Sequence, residues 1–169
     1  TFDFGDGNGP VPAHKHPKGG GWVADTATVD ETAYLGAEAR VFDYAQVYGN
    51  AKVYGNAQVF DYAKVYGNAQ VYGNAQVFGN AQVFDYAKVF GNAQVFGNAQ
   101  VFGSAQVYGN AQVFDYAWVF DYAWVYGNAQ VFDYAKVYGN AQVFGNAWVF
   151  GNGNAQVFDY AKVYGNAQV

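Results

Sequence analysis

Residues 59–84 read VFDYAKVYGNAQVYGNAQVFGNAQVF, with Val at every sixth position, Ala two before each Val, and Phe or Tyr directly after it. The word extends in both directions. Val, replaced once by Leu35, recurs in steps of six from Val23 to Val149, and an insertion of Gly153 and Asn154 then shifts the series to Val157, Val163 and Val169. A fixed short period of this kind takes precedence over local propensities, because it is the mark of a repeat architecture.

Within each word, Ala-x-Val-aromatic reads as a strand of four residues whose side chains alternate between two faces. Lys52, Lys64, Lys88, Lys136 and Lys162 occupy x. A buried column of unpaired ammonium groups would be strongly destabilising, so Ala and Val face inward and x and the ring face outward. Gly-Asn follows the ring in most words, and this pair accepts positive φ readily, which makes it the corner. Seven words carry Asp-Tyr instead (Tyr44, Tyr62, Tyr86, Tyr116, Tyr122, Tyr134 and Tyr160). Tyr tolerates positive φ poorly, and nothing local explains its use there.

Such short strands, each followed by a bend, do not suit a hairpin meander, whereas a coil that returns after a fixed number of words sets Val on Val at every level. The expected fold is all-β, a parallel β-solenoid. The word VYGNAQ resembles the hexapeptide-repeat family, whose pattern is an aliphatic residue, three variable residues with Asn frequent at the third, a small residue and one more variable residue. The resemblance covers residues 23–169 and implies a triangular, left-handed β-helix with three words per coil. The chain departs from the pattern in placing a ring after the aliphatic, where the family often has a small residue. Sorted into three columns, the Asp-Tyr corners occupy two, and the third is an unbroken Asn series, Asn56, Asn74, Asn92, Asn110, Asn128, Asn146 and Asn166. Eight coils at ~4.8 Å per coil make a rod roughly 38 Å long.

The chain then divides into an irregular cap, residues 1–22, with Pro10, Pro12, Pro17 and Gly19 to Gly21, and a solenoid, residues 23–169, with a two-residue bulge at 153–154. Near-identical words invite register slips, which the Asp-Tyr corners and the bulge would resist. The chain stops within a word at Val169, so its open edge either continues or meets another copy.

Composition narrows the function. The 169 residues are 52% hydrophobic and 12% charged, which suits a folded domain. A net charge of −5 with 8 Lys and Arg leaves no basic stripe for nucleic acid. No apolar run approaches the ~20 residues of a membrane span, and the start, TFDFGDGNG, is not a signal peptide. Without Cys, no redox compartment can be read.

The candidate surface is outward. From Phe42 to Tyr164 run 21 rings, 13 Phe and 8 Tyr, in three ladders. One holds Phe42, Phe60, Phe78, Phe96, Phe114 and Phe132. The second holds Tyr48, Tyr66, Phe84, Phe102, Phe120 and Tyr138, and the third Tyr54, Tyr72, Phe90, Tyr108, Tyr126 and Phe144. Trp118, Trp124 and Trp148 replace Gln beside them. Such ladders stabilise a rod by stacking, yet so much apolar surface also calls for a covering partner. The expected partner is a second copy, stacked end to end or in a lateral oligomer such as a trimer, within a filament, fibre or surface appendage. A polysaccharide is the alternative, disfavoured because Phe outnumbers Tyr.

Many members of the resembled family are acyltransferases that use a His on a projecting loop. Here no such loop is evident, and the only histidines, His14 and His16, lie in the cap. No enzyme, cofactor or metal is therefore expected. Calcium between stacked Asp43 and Asp61, or Asp115 and Asp133, competes with simple charge balance by a Lys three residues on, as in Asp61 and Lys64. Ice binding fits poorly, with Thr only at Thr1, Thr26, Thr28 and Thr32.

Overall fold

The computed structural model describes residues 1–152 and 155–169; the bulge expected at Gly153 and Asn154 lies outside the described residues. The chain coils into three parallel sheets that form the sides of a β-solenoid of about eight turns, and no helix occurs among the described residues. Partners in neighbouring coils are 18 residues apart, as in Gln70 beside Lys88 and Val71 beside Val89. Three words make one coil. Beyond the insertion, Val137 pairs with Val157, so Val still stands on Val.

The first sheet runs from Trp22–Ala24 through Arg40–Val41 to Trp148–Val149, the second from Thr28–Val29 to Gln156–Val157, and the third from Tyr34–Leu35 to Lys162–Val163. The regular strand is two residues, x and Val, rather than the expected four. Ala and the ring still join the ladder: Gln46 N donates to Ala63 O and Tyr48 N to Val65 O. The bonding continues through the corner, where Asn50 N donates to Gly67 O at 2.8 Å. A bend in every six residues leaves only x and Val in regular extended pairing, while bonds to the next coil continue through x, the ring and the second corner residue.

Positive φ falls on the first residue of each corner pair, Gly73 at 73° and Asp61 at 56° for example. Tyr62 therefore avoids the conformation that its side chain resists, and the Asp-Tyr corner carries its strain on Asp, a residue that enters the left-handed region more readily. Asp43, Asp61, Asp85 and Asp121 also use their carboxylates. Asp61 Oδ2 accepts a hydrogen bond from Gly79 N at 2.9 Å, and Asp43 Oδ2 one from Asp61 N at 3.3 Å.

Ala and Val fill the interior, as the buried-Lys argument requires. From Ala33 to Val149 both are fully buried in every word. Burying each Val is worth about 1.5–3 kcal/mol, so the core is a long sum of equal contributions.

The cap attaches to the first coil by a strand, β1 (Ala13–Lys15), antiparallel to β2 (Trp22–Ala24). Val23 is followed by Ala24 where the words from Val41 onward have a ring, and the buried Phe4 fills that place, stacked on Phe42 at 4.9 Å. Phe2 stacks on Trp22 at 4.5 Å. Arg40 lies over the Phe2 ring and donates from Nη1 to Phe4 O at 3.0 Å. On the third sheet, Lys18 O accepts from Leu35 N, and a Cβ at Gly19 would strike the Leu35 carbonyl.

Candidate functional surface

The three ring ladders stand where the sequence puts them, but their faces cover one another. Successive rings from Phe60 to Phe144 lie 4.8–4.9 Å apart with planes within 6° of parallel. Such stacks contribute about 0.5–1.5 kcal/mol per pair beyond area burial. As a result Tyr48, Tyr54, Phe60, Tyr66, Tyr72, Phe78, Phe84, Phe90, Phe96, Phe102, Tyr108, Phe114, Phe120, Tyr126, Phe132, Tyr138 and Phe144 are half-buried, and Phe42 is buried beneath Phe4. The wide exposed Phe surface expected from the sequence is reduced to ring edges.

Polar groups tie the ladders together. In the first sheet Gln112, Gln94 and Gln76 each donate from Nε2 to the Gln one coil earlier. In the other sheets Tyr54, Tyr66 and Tyr126 hydroxyls donate to Gln70, Gln82 and Gln142. The corner between the third and first sheets carries the Asn ladder, with amide bonds of 3.0–3.3 Å from Asn56 to Asn166. Burial pushes the phenols of Tyr48, Tyr54, Tyr66, Tyr72 and Tyr108 above the ordinary Tyr value.

Before the last coil, where Phe158 and Tyr164 are open, the most exposed rings belong to other columns. Corner residues Tyr44, Tyr62, Tyr116 and Tyr134 are 49–59% exposed, and Tyr86 and Tyr122 each 65%. Trp118, Trp124 and Trp148 are also exposed, as expected. The sequence marked the corner Tyr residues as a conformational puzzle and a pin for register, not as surface. Their signal was available: the second corner position, filled by Asn elsewhere, projects outward. Tyr44 stacks on Tyr62 at 5.4 Å and Tyr116 on Tyr134 at 4.9 Å. Trp118 stands edge-on to Phe102, and Lys136 Nζ lies 4.7 Å from the Trp118 ring centre. Tyr116, Trp118, Tyr134 and Lys136 line a groove of about 290 Å³.

Charge is arranged differently from the expected Asp–Lys balance. Among the described residues no Lys or Arg lies within 4.0 Å of a carboxylate, and the one His–carboxylate contact of that length is His14 Nδ1 with Asp25 Oδ1, at 2.8 Å. Asp43, Asp61, Asp85 and Asp121 each accept a hydrogen bond from a backbone N–H of the next coil, which takes Asp61 away from Lys64. Burial, with the negative charges of Asp61 and Asp6 nearby, holds the Asp43 carboxyl above its usual range despite the bond from Asp61 N. Among the described residues no three His, Cys, Asp or Glu side chains gather in a way that could hold a metal ion. The buried His16 links the cap to the coil, with Nε2 3.1 Å from Asp30 O and Nδ1 3.2 Å from Lys18 N. Among the described residues no helix is long and apolar enough to cross a membrane.

Three parallel sheets, 18-residue coils and an inward Ala/Val column define a hexapeptide-repeat-like β-helix. Three stretches, residues 45–61, 69–85 and 105–121, match the YdcK β-solenoid repeat. Each match begins at an inward Ala and ends at a positive-φ Asp, Asp61, Asp85 or Asp121. No curated protein and no solved structure matches the chain.

Proposed function

We propose that this chain is a non-catalytic structural module, a rigid β-solenoid rod that associates with copies of itself through its aromatic sides and coil ends within a filament, fibre or surface appendage. The observation that carries this reading is the division of labour in the word. The inward positions are filled by packing alone, and the outward ones repeat an aromatic and amide pattern at the rung spacing. A surface of that regularity suits a partner with the same period, and a second copy has it. Sedimentation velocity over a hundredfold concentration range, with negative-stain microscopy, tests it. Assemblies that grow with concentration are expected; a monomer throughout would overturn the proposal.

A second reading, a polysaccharide-binding module, is supported by the groove of Tyr116, Trp118, Tyr134 and Lys136, where exposed rings adjoin a cation. Soluble glycans that occupy this groove would quench Trp118 fluorescence. An unchanged spectrum over a panel of neutral and acidic glycans would remove this reading.

A further inference from the structure

The corner between the second and third sheets carries, on three successive coils, Tyr86, Ser104 and Tyr122. Their backbones are consecutive rungs, with Tyr86 N donating to Gly103 O and Ser104 N to Asp121 O. Ser104 stands alone in its column type, since from Tyr44 onward every other word has Asn or Tyr at that position. Where corner Tyr residues occupy adjacent coils they stack, as Tyr116 does on Tyr134 at 4.9 Å. Tyr86 and Tyr122 are instead two coils apart, ~9.6 Å along the axis. Both are 65% exposed, more than the stacked corner Tyr residues at 49–59%.

A gap of two rungs is what one ring fills in the ladders, where Phe78 lies between Phe60 and Phe96, 4.9 Å from each. The Tyr86–Tyr122 corner has the spacing of such a ladder with a short Ser in place of the middle ring. Beside it, Ser104, Gln106, Tyr122, Trp124, Asn140 and Gln142 line a groove of about 330 Å³. Rings thus stand among amides and a hydroxyl, and none of these six side chains is charged. The Asp carboxylates of the same corner are engaged elsewhere, Asp85 with Gly103 N and Asp121 with Gly139 N.

Small-ligand sites combine apolar walls with a few polar groups that fix orientation. An aromatic ligand would use the rings and leave the amides idle, and an anion would find no cation in the groove. A pyranose whose hydroxyls are all equatorial uses both features. Its two faces present C–H groups to ring walls, and its hydroxyls form a rim within reach of Ser104, Gln106 and Asn140. An axial hydroxyl would set a polar group against a phenol ring without a partner.

We infer that the Tyr86–Tyr122 corner is a binding site for a neutral hexopyranose with equatorial hydroxyls, held between the two phenol rings over Ser104. The site lies on a different corner from the groove of Tyr116, Trp118, Tyr134 and Lys136, and depends neither on that groove nor on self-association. A single sugar makes few contacts, so binding is about millimolar.

Saturation-transfer NMR of the full chain with methyl β-glucoside tests the site. Saturating the aromatic protons of the protein is expected to mark C–H groups on both faces of the sugar, as a ring between two rings requires. Methyl β-galactoside, whose axial hydroxyl interrupts one face, is expected to give at most a tenth of that signal. Tyr86→Ser/Tyr122→Ser should abolish the signal with an unchanged melting temperature, and Tyr44→Ser/Tyr62→Ser on the other corner should retain it. Ser104→Tyr completes the ladder and adds aromatic surface, yet is expected to remove binding while the melting temperature holds or rises. Equal signals from the two sugars, marking of one face only, or a Ser104→Tyr chain that binds as well as the parent would overturn the site. A glucoside signal that survives Tyr86→Ser/Tyr122→Ser would also overturn it, while leaving the Tyr116 groove as a sugar site.

Discussion

Asp61 and Gly73 solve one backbone problem in two ways. Gly73, at φ 73°, has no Cβ, and one built there would stand 3.0 Å from both N and O of Gly91 in the next coil. Gly73→Ala therefore combines left-handed strain with a crowded rung, and a loss of about 2 kcal/mol or more is expected by urea unfolding. Asp61 accepts part of that strain and offsets it with its bond to Gly79 N. Asp61→Ala keeps the strain and loses the bond, for a cost of about 1–2 kcal/mol, whereas Asp61→Gly should be close to neutral. The corner was legible in the sequence as a corner. Which residue of Asp-Tyr takes positive φ was not, because Asn and Asp both tolerate it and occupy opposite positions of the two pairs.

Elements differ in how they announce themselves. The sheets follow from a six-residue period that only one inward choice satisfies, since Lys at x cannot be buried. The cap has no period, and its docking depends on single contacts between distant residues, Phe4 with Phe42 and Arg40 with the Phe4 carbonyl. One trace was present, the small Ala24 at a ring position, which leaves room that Phe4 fills. Phe4→Ala should cost about 3–5 kcal/mol of cap stability by opening a cavity over Phe42. Amide hydrogen exchange checks this, with faster exchange expected at Phe2, Val11 and residues 13–16 and little change beyond the first coils. The outward rings show the reverse limit: their columns were readable, but their degree of exposure depends on stacking distance, which alternation alone does not supply.

The whole rod responds to pH through its ladders. Tyr48, Tyr54, Tyr66, Tyr72 and Tyr108 have phenols raised by burial above 10.0, so their neutral form is favoured in the folded state. Their contribution is complete below pH 10 and is lost as pH rises through the folded values. Urea midpoints should be unaffected by these phenols at neutral pH and fall above pH 10, with phenolate absorbance rising further on unfolding. Val89→Ala, in the middle of the core, should cost about 2 kcal/mol wherever along the rod the equivalent change is made. The bonding pattern also has a kinetic meaning. Each regular rung joins residues 18 apart, as Lys52 to Gln70 and Gln70 to Lys88, whatever the total number of coils. Every coil added to a formed one closes a loop of the same length and meets the same entropic barrier. Elongation along the axis then proceeds at a constant rate per coil, and a longer rod takes longer to complete without any single step becoming harder.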